Sequence, residues 1–151
     1  MGFGTNTDGT HITQPNEATM KGALALALED GGLSPDAIGY VNTHGTATGA
    51  GDIAESNATR NIFNRAVPCS TIKNYLGHTL GACGALEAWF TINMMNEKWF
   101  APNINLRELD PQCADLDYIT GNGRIIETEY AMSNNFAFGG INTSLIFKRL
   151  S

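Results

Sequence analysis

The chain has 151 residues, 42% hydrophobic and 16% charged, which is enough for one domain with a sizeable core. Nine basic against fifteen acidic residues leave a formal charge of −6. That balance lacks the electrostatic footprint of a nucleic-acid binder and would not steer in an acidic partner, which would need a local basic patch.

Cys69, Cys83 and Cys113 are widely spaced with no CxxC pair, a usage that suits reduced thiols in a cytoplasmic protein better than a disulfide framework. The most apolar run, Gly22 to Leu28, meets Glu29 and Asp30 at once, so it is neither a signal peptide nor a membrane span.

In chain order, Pro15-Asn16-Glu17 predicts a helix start, and Gly31-Gly32 a stop just after Asp30. Ile38 to Thr43 reads as a short buried strand. Asp52 is expected to open a second helix, with Ala54, Ala58 and Ile62 at four-residue spacing, ending near Phe63. Val67 to Ile72 is a second strand. From Leu80 to about Glu97 a long helix is predicted, and its small first turns (Gly81-Ala82-Cys83-Gly84-Ala85) imply burial on several sides. Leu116 to Thr120, Tyr130 to Asn135 and Thr143 to Lys148 complete the strands. The class expected is α/β, a mixed sheet covered by helices.

Two loops, each between a predicted strand and a predicted helix, hold histidines. They are Asn42-Thr43-His44-Gly45-Thr46-Ala47-Thr48-Gly49-Ala50-Gly51-Asp52 and Lys73-Asn74-Tyr75-Leu76-Gly77-His78. Sites in α/β proteins gather at the C-terminal ends of strands, where both fall. A lone loop histidine is more often an ordinary surface residue; two in matched settings weaken that reading. A third segment, Ser133-Asn134-Asn135-Phe136-Ala137-Phe138-Gly139-Gly140, offers two aromatics and a flexible Gly-Gly pair whose N–H groups can face a reacting oxygen.

Taken in this order and spacing, the three segments resemble the decarboxylating β-ketoacyl-acyl-carrier-protein synthases of the thiolase superfamily, and the likeness covers residues 1–151 as the family's C-terminal half. The resemblance implies half of a stacked α-β-α-β-α fold. The nucleophilic cysteine is expected on an N-terminal half outside this sequence, since none of the three cysteines sits in a matching context. It further implies joining of an acyl group to a malonyl unit carried on the phosphopantetheine arm of an acyl carrier protein, and a homodimer in the full enzyme. His44 and His78 match the enolate-stabilising pair and Lys73 the active-site lysine, with Glu55 placed to hold that lysine and Asp52 beside it. Thr46 and Thr48 match pantetheine contacts. Phe136 matches a pocket wall, and Phe138 with Gly139 the gate and oxyanion hole. Cys83 stands where relatives more often carry Ala.

The resemblance also suggests a structural sodium or potassium ion held by Asn42, Glu87, Ser133 and Asn134. Glu87 lies in the most apolar part of the long helix, where an unpartnered carboxylate would be costly, and oxygen ligands suit a hard cation. Thiolases with a second cysteine, and synthases pairing one histidine with asparagine, fit less well. Polyketide ketosynthases share both histidines. Two other classes compete: a non-catalytic partner of the chain-length-determining kind, and a metal hydrolase using His44, His78 and Asp52. The last lacks close ligand spacing, and no catalytic metal is expected.

Overall fold

The structure is a computed structural model that describes residues 1–9, 11 and 13–150. Its centre is a six-stranded mixed sheet in the order β1-β8-β7-β2-β3-β5. The strands are β1 (Gly2–Thr7), β2 (Ile38–Asn42), β3 (Pro68–Ser70), β5 (Asp117–Tyr118), β7 (Tyr130–Ala137) and β8 (Ile141–Lys148). β1, β8 and β7 run antiparallel to one another, while β7, β2, β3 and β5 are parallel. A small ribbon pairs β4 (Trp99–Phe100) with β6 (Arg124–Ile125). The helices are α1 (Glu17–Gly31), α2 (Gly49–Phe63), the short α3 (Lys73–Leu76) and α4 (Cys83–Glu97).

Side chains alternate across each strand, so the sheet feeds two cores. On one face Met132 and Phe136 of β7 and Ile146 of β8 meet Leu24 and Leu28 of α1 and Phe63 of α2. On the other, Ala131 of β7 and Tyr40 of β2 meet Met94 and Met95 of α4 and Phe100. Both cores close against helices, as the strand–helix alternation implied.

α1 begins where the sequence placed it. The Asn16 side chain accepts the backbone N–H groups of Ala18 (3.0 Å) and Thr19 (3.3 Å), and Gly32 ends the helix with φ +61°. Other boundaries move. α2 starts at Gly49, three residues before Asp52, because Thr48 takes the extended N-cap conformation. Thr71 and Ile72 leave β3 to turn into α3. The long helix does not start at Leu80: residues 80–82 form a 3₁₀ turn and α4 begins at Cys83, since Leu80 itself sits at φ +53°.

β1 escaped the sequence reading, because Gly2-Phe3-Gly4 shows little strand propensity. The two glycines are there for close approach. A Cβ on Gly2 or Gly4 would lie 2.2 Å from the carbonyl oxygen of Ala27 or Ala23, so α1 rides directly on the β1 backbone. Burial of α4 on several sides is also corrected. Cys83, Glu87, Thr91, Met94 and Met95 face inward, whereas Gly81, Ala82, Ala85 and Ile92 are exposed and Trp89 is 58% exposed.

Gly4→Ala is expected to push α1 off the sheet edge and cost about 1–3 kcal/mol of stability, as overpacking does, read as a lowered denaturation midpoint.

Candidate functional site

Strands β2 and β3 lie side by side and end together, Asn42 opposite Ser70. The chain leaves β2 into the His44 loop and β3 into the α3–His78 loop, and Thr43 N–H still bonds the Ser70 carbonyl at 2.9 Å. The two imidazoles therefore meet, with ring centres 5.4 Å apart and planes nearly perpendicular. Phe136 lies beneath, its ring 6.0 Å from His44.

The two histidines are prepared differently. The Leu80 N–H donates to His78 Nδ1 at 3.1 Å, so neutral His78 carries its proton on Nε2 and is a hydrogen-bond donor there. The left-handed Leu80 backbone aims that N–H, at a steric cost of order 1–2 kcal/mol. His44 is pushed down to about 3, first by burial and then by the nearby charges of Lys73 and His78, while the Asn135 side chain opposes the shift. At neutral pH His44 is thus an uncharged imidazole.

Lys73 is buried, and its Nζ forms an ion pair with Glu87 Oε1. This corrects the expectation that Glu55 holds the lysine. Glu55 instead accepts the backbone N–H of His44 (Oε1, 2.7 Å) and of Gly45 (Oε2, 2.8 Å), pinning the catalytic loop from below. Asp52 works on the next stretch, facing the N–H groups of Thr46 and Ala47. Burial pushes Asp52 up, and pushes Glu55 up to about 7 although its two N–H bonds and the Lys73 charge favour the anion.

Glu87 is 2% exposed, as its apolar surroundings implied. Among the described residues no hydrogen bond joins it to Ser133 or Asn134; the chain supplies Lys73 instead, fourteen positions away. Ser133 is tied to Asn42, whose Nδ2 donates to Ser133 Oγ at 3.1 Å. Asn134 Oδ1 accepts from Ser144 Oγ at 2.8 Å.

A cavity of about 530 Å³ opens beside the histidines, lined by His78, Lys73, Thr46 and Asp52 and, further out, by Leu109 and Cys113. Thr46 and Thr48 share a hydroxyl contact of 3.1 Å at its rim. Phe136 belongs to the core on the α1 and α2 side of the sheet, and its ring also reaches His44. Phe138 projects from the end of β7, 66% exposed, before Gly139 and Gly140 at φ +78° and +73°.

Two participants were missed. Asn135, inside a segment already singled out, touches His44; its even spacing with Ser133 on a strand was the available signal. Asn103 joins the ends of three segments, accepting Thr71 N–H at 3.0 Å and donating to the carbonyls of Cys69 (3.3 Å) and Ile119 (3.2 Å). No local pattern announces a buckle of that kind.

The mixed α/β fold is that of the thiolase-like ketosynthases. Residues 1–107 match the family model described as "Beta-ketoacyl synthase, C-terminal domain". The 3-oxoacyl-[acyl-carrier-protein] synthase 2 of Synechocystis sp. is 40% identical over 158 residues, covering 99% of this chain and 37% of the relative. A β-ketoacyl synthase from Burkholderia phymatum STM815 superposes with TM-score 0.97 at 62% identity, over 99% of this chain and 37% of that one. A ketosynthase solved in complex with its chain length factor, from Xenorhabdus doucetiae, gives TM-score 0.92 at 36% identity, over 99% and 38%. The chain belongs to the β-ketoacyl-[acyl-carrier-protein] synthase family, as its C-terminal domain. It spans less than two-fifths of the length of these relatives.

Glu55 carries a pH signature. Its folded pKa of about 7 stands above the ordinary carboxyl value of 4.5, so its stabilising contribution is complete below pH 4.5 and is lost as pH rises through 7. Glu55→Gln is expected to remove roughly 3 kcal/mol of this pH dependence. Unfolding free energies of both proteins measured across pH 4.5–7.5 check it.

Proposed function

We propose that this domain supplies the decarboxylation machinery of a cytoplasmic, homodimeric condensing enzyme. It would join an acyl-cysteine, borne on an N-terminal half, to malonyl-acyl-carrier-protein in fatty-acid or polyketide synthesis. The observation that carries this reading is the meeting of two imidazoles 5.4 Å apart, His44 uncharged at neutral pH and His78 accepting the Leu80 N–H at Nδ1 and so offering Nε2 as its donor.

Loss of carbon dioxide from a malonyl thioester leaves an enolate, whose charge collects on the thioester oxygen. Two N–H donors converging on that oxygen lower the barrier, because they are already oriented. Lys73 keeps positive charge behind them while its ion pair with Glu87 holds it in place. The same charge disfavours imidazolium, so His44 stays neutral and available.

Thr46 and Thr48 at the cavity rim suit the amide-rich pantetheine arm. Phe138, exposed and followed by two positive-φ glycines, suits a gate, and the Gly139 N–H suits an oxyanion donor. A second half is supported by the relatives' greater length and by the exposed apolar stripe of α4. No helix among the described residues is long and apolar enough to cross a membrane.

A ketosynthase-like partner without catalysis is the second reading, favoured only by likeness to structures that contain a chain length factor. Retention of His44, His78 and Lys73 together speaks for catalysis. In the assembled enzyme, His44→Ala or His78→Ala is expected to lower malonyl decarboxylation by about 10²–10³-fold, measured as released carbon dioxide. A variant near the parental rate contradicts the mechanism.

The residues named for a monovalent cation fit one in part. Asn42 Oδ1 and Glu87 Oε2 are buried oxygens without a partner, as a hard ion's ligands would be in its absence. Asn134 Oδ1 accepts from Ser144 and Ser133 Oγ accepts from Asn42, each keeping a lone pair for an ion. When bound, a sodium or potassium ion would neutralise Glu87 Oε2 and tie β2 to α4; Asn42, Glu87, Ser133 and Asn134 would hold it. Potassium or sodium, against choline as control, is expected to raise the melting temperature. The stabilisation would be about 3 kcal/mol at a hundred times the dissociation constant, and Glu87→Gln should abolish it.

A further inference from the structure

Cys83 occupies the first turn of α4, 3% exposed, with no assigned role. Its Sγ lies 3.4 Å from Glu87 Oε1, the oxygen that also receives Lys73 Nζ. Cys83 and Glu87 are four positions apart on one helix, so the thiol sits directly over the carboxylate. The crevice they share with Ile72, Leu76, Gly77 and Thr79 is too narrow to admit water.

The thiol faces both members of the ion pair: it can only accept from Lys73, which lies within hydrogen-bond reach of the sulfur, and toward Glu87 it can act in only one direction. A carboxylate accepts and cannot donate, so the proton between Sγ and Oε1 belongs to sulfur. Burial, and then the Glu87 charge, push the thiol up, which keeps it protonated and unreactive as a nucleophile. The contact also addresses an instability. Glu87 Oε2 has no partner among the described residues, so a carboxylate held by Lys73 alone is free to turn and offer Lys73 either oxygen. A second donor on Oε1 fixes which oxygen the lysine meets.

We propose that Cys83 is a positioning residue for the decarboxylation site: its thiol proton locks Glu87 Oε1 against Lys73, and so fixes the charge behind His44 and His78. The inference deepens the proposed function and rests on it.

Cys83→Ala and Cys83→Ser separate donation from packing. The two replacements are close in volume, but only serine keeps a donor, and an apolar packing role would favour alanine. In the enzyme assembled with its nucleophile-bearing half, Cys83→Ala is expected to lower kcat for malonyl decarboxylation about 5-fold with KM unchanged, and Cys83→Ser to restore it. Equal rates in all three proteins, or alanine outperforming serine, overturn the proposal.

The S–H stretching band, isolated as the parent-minus-Cys83→Ser difference, reports the contact independently of activity. It is expected at the low frequency of a bonded thiol and to move up in Glu87→Gln; a free-thiol band indifferent to that change overturns the proposal. A bonded band in an enzyme that never decarboxylates overturns instead the functional reading, and with it the catalytic part of this one.

Discussion

A lysine ammonium and a glutamate carboxylate, both withdrawn from water, hold the centre of this domain. Desolvating each ion costs several kcal/mol, recovered only when the two stay in contact. Lys73 opens α3 and Glu87 stands one turn into α4, so their pairing fastens the loop carrying His78 to the helix that follows it. Removing either partner strands the other charge in the interior, a loss of about 3–5 kcal/mol. The pair also sets the electrostatics of the site: a fixed positive charge nearby is one reason His44 cannot hold a proton at neutral pH.

Around that pair, each loop is restrained by a carboxylate with its own task. Glu55 anchors the backbone at His44 and Gly45, and Asp52 faces the N–H groups of Thr46 and Ala47. Both come from the first two turns of α2, so one helix presents acceptors to four successive residues of the site loop. This is why the sheet must place β2 and β3 adjacent and parallel: only then do two loops leave the same edge and bring two imidazoles to 5.4 Å. The antiparallel strands β1, β8 and β7 widen the platform and deliver Phe136 under His44.

Much of this was legible in the residues. Strand and helix periodicity located β2, α1, β7 and β8, and matched Gly- and Thr-rich contexts brought His44 and His78 together. What escaped depended on contacts that no local pattern encodes. Glu87 was recognised as needing a partner, but Lys73 reaches it across an irregular turn with a positive-φ Gly77 and Leu80, which spacing arguments do not anticipate. Glu55 looked suited to that lysine because charge was weighed and backbone N–H groups were not. β1 hid behind two glycines whose purpose is visible only once α1 lies on them.

The central claim is that His44 and His78 converge on one developing oxyanion. A crystal structure of the assembled enzyme with a malonyl-thioester analogue that cannot lose carbon dioxide tests it most directly. The account predicts the analogue's thioester oxygen within about 3 Å of Nε2 of His78 and of a ring nitrogen of His44, with Lys73 still paired to Glu87. A thioester oxygen bound away from both imidazoles, or meeting Lys73 Nζ directly, would contradict it.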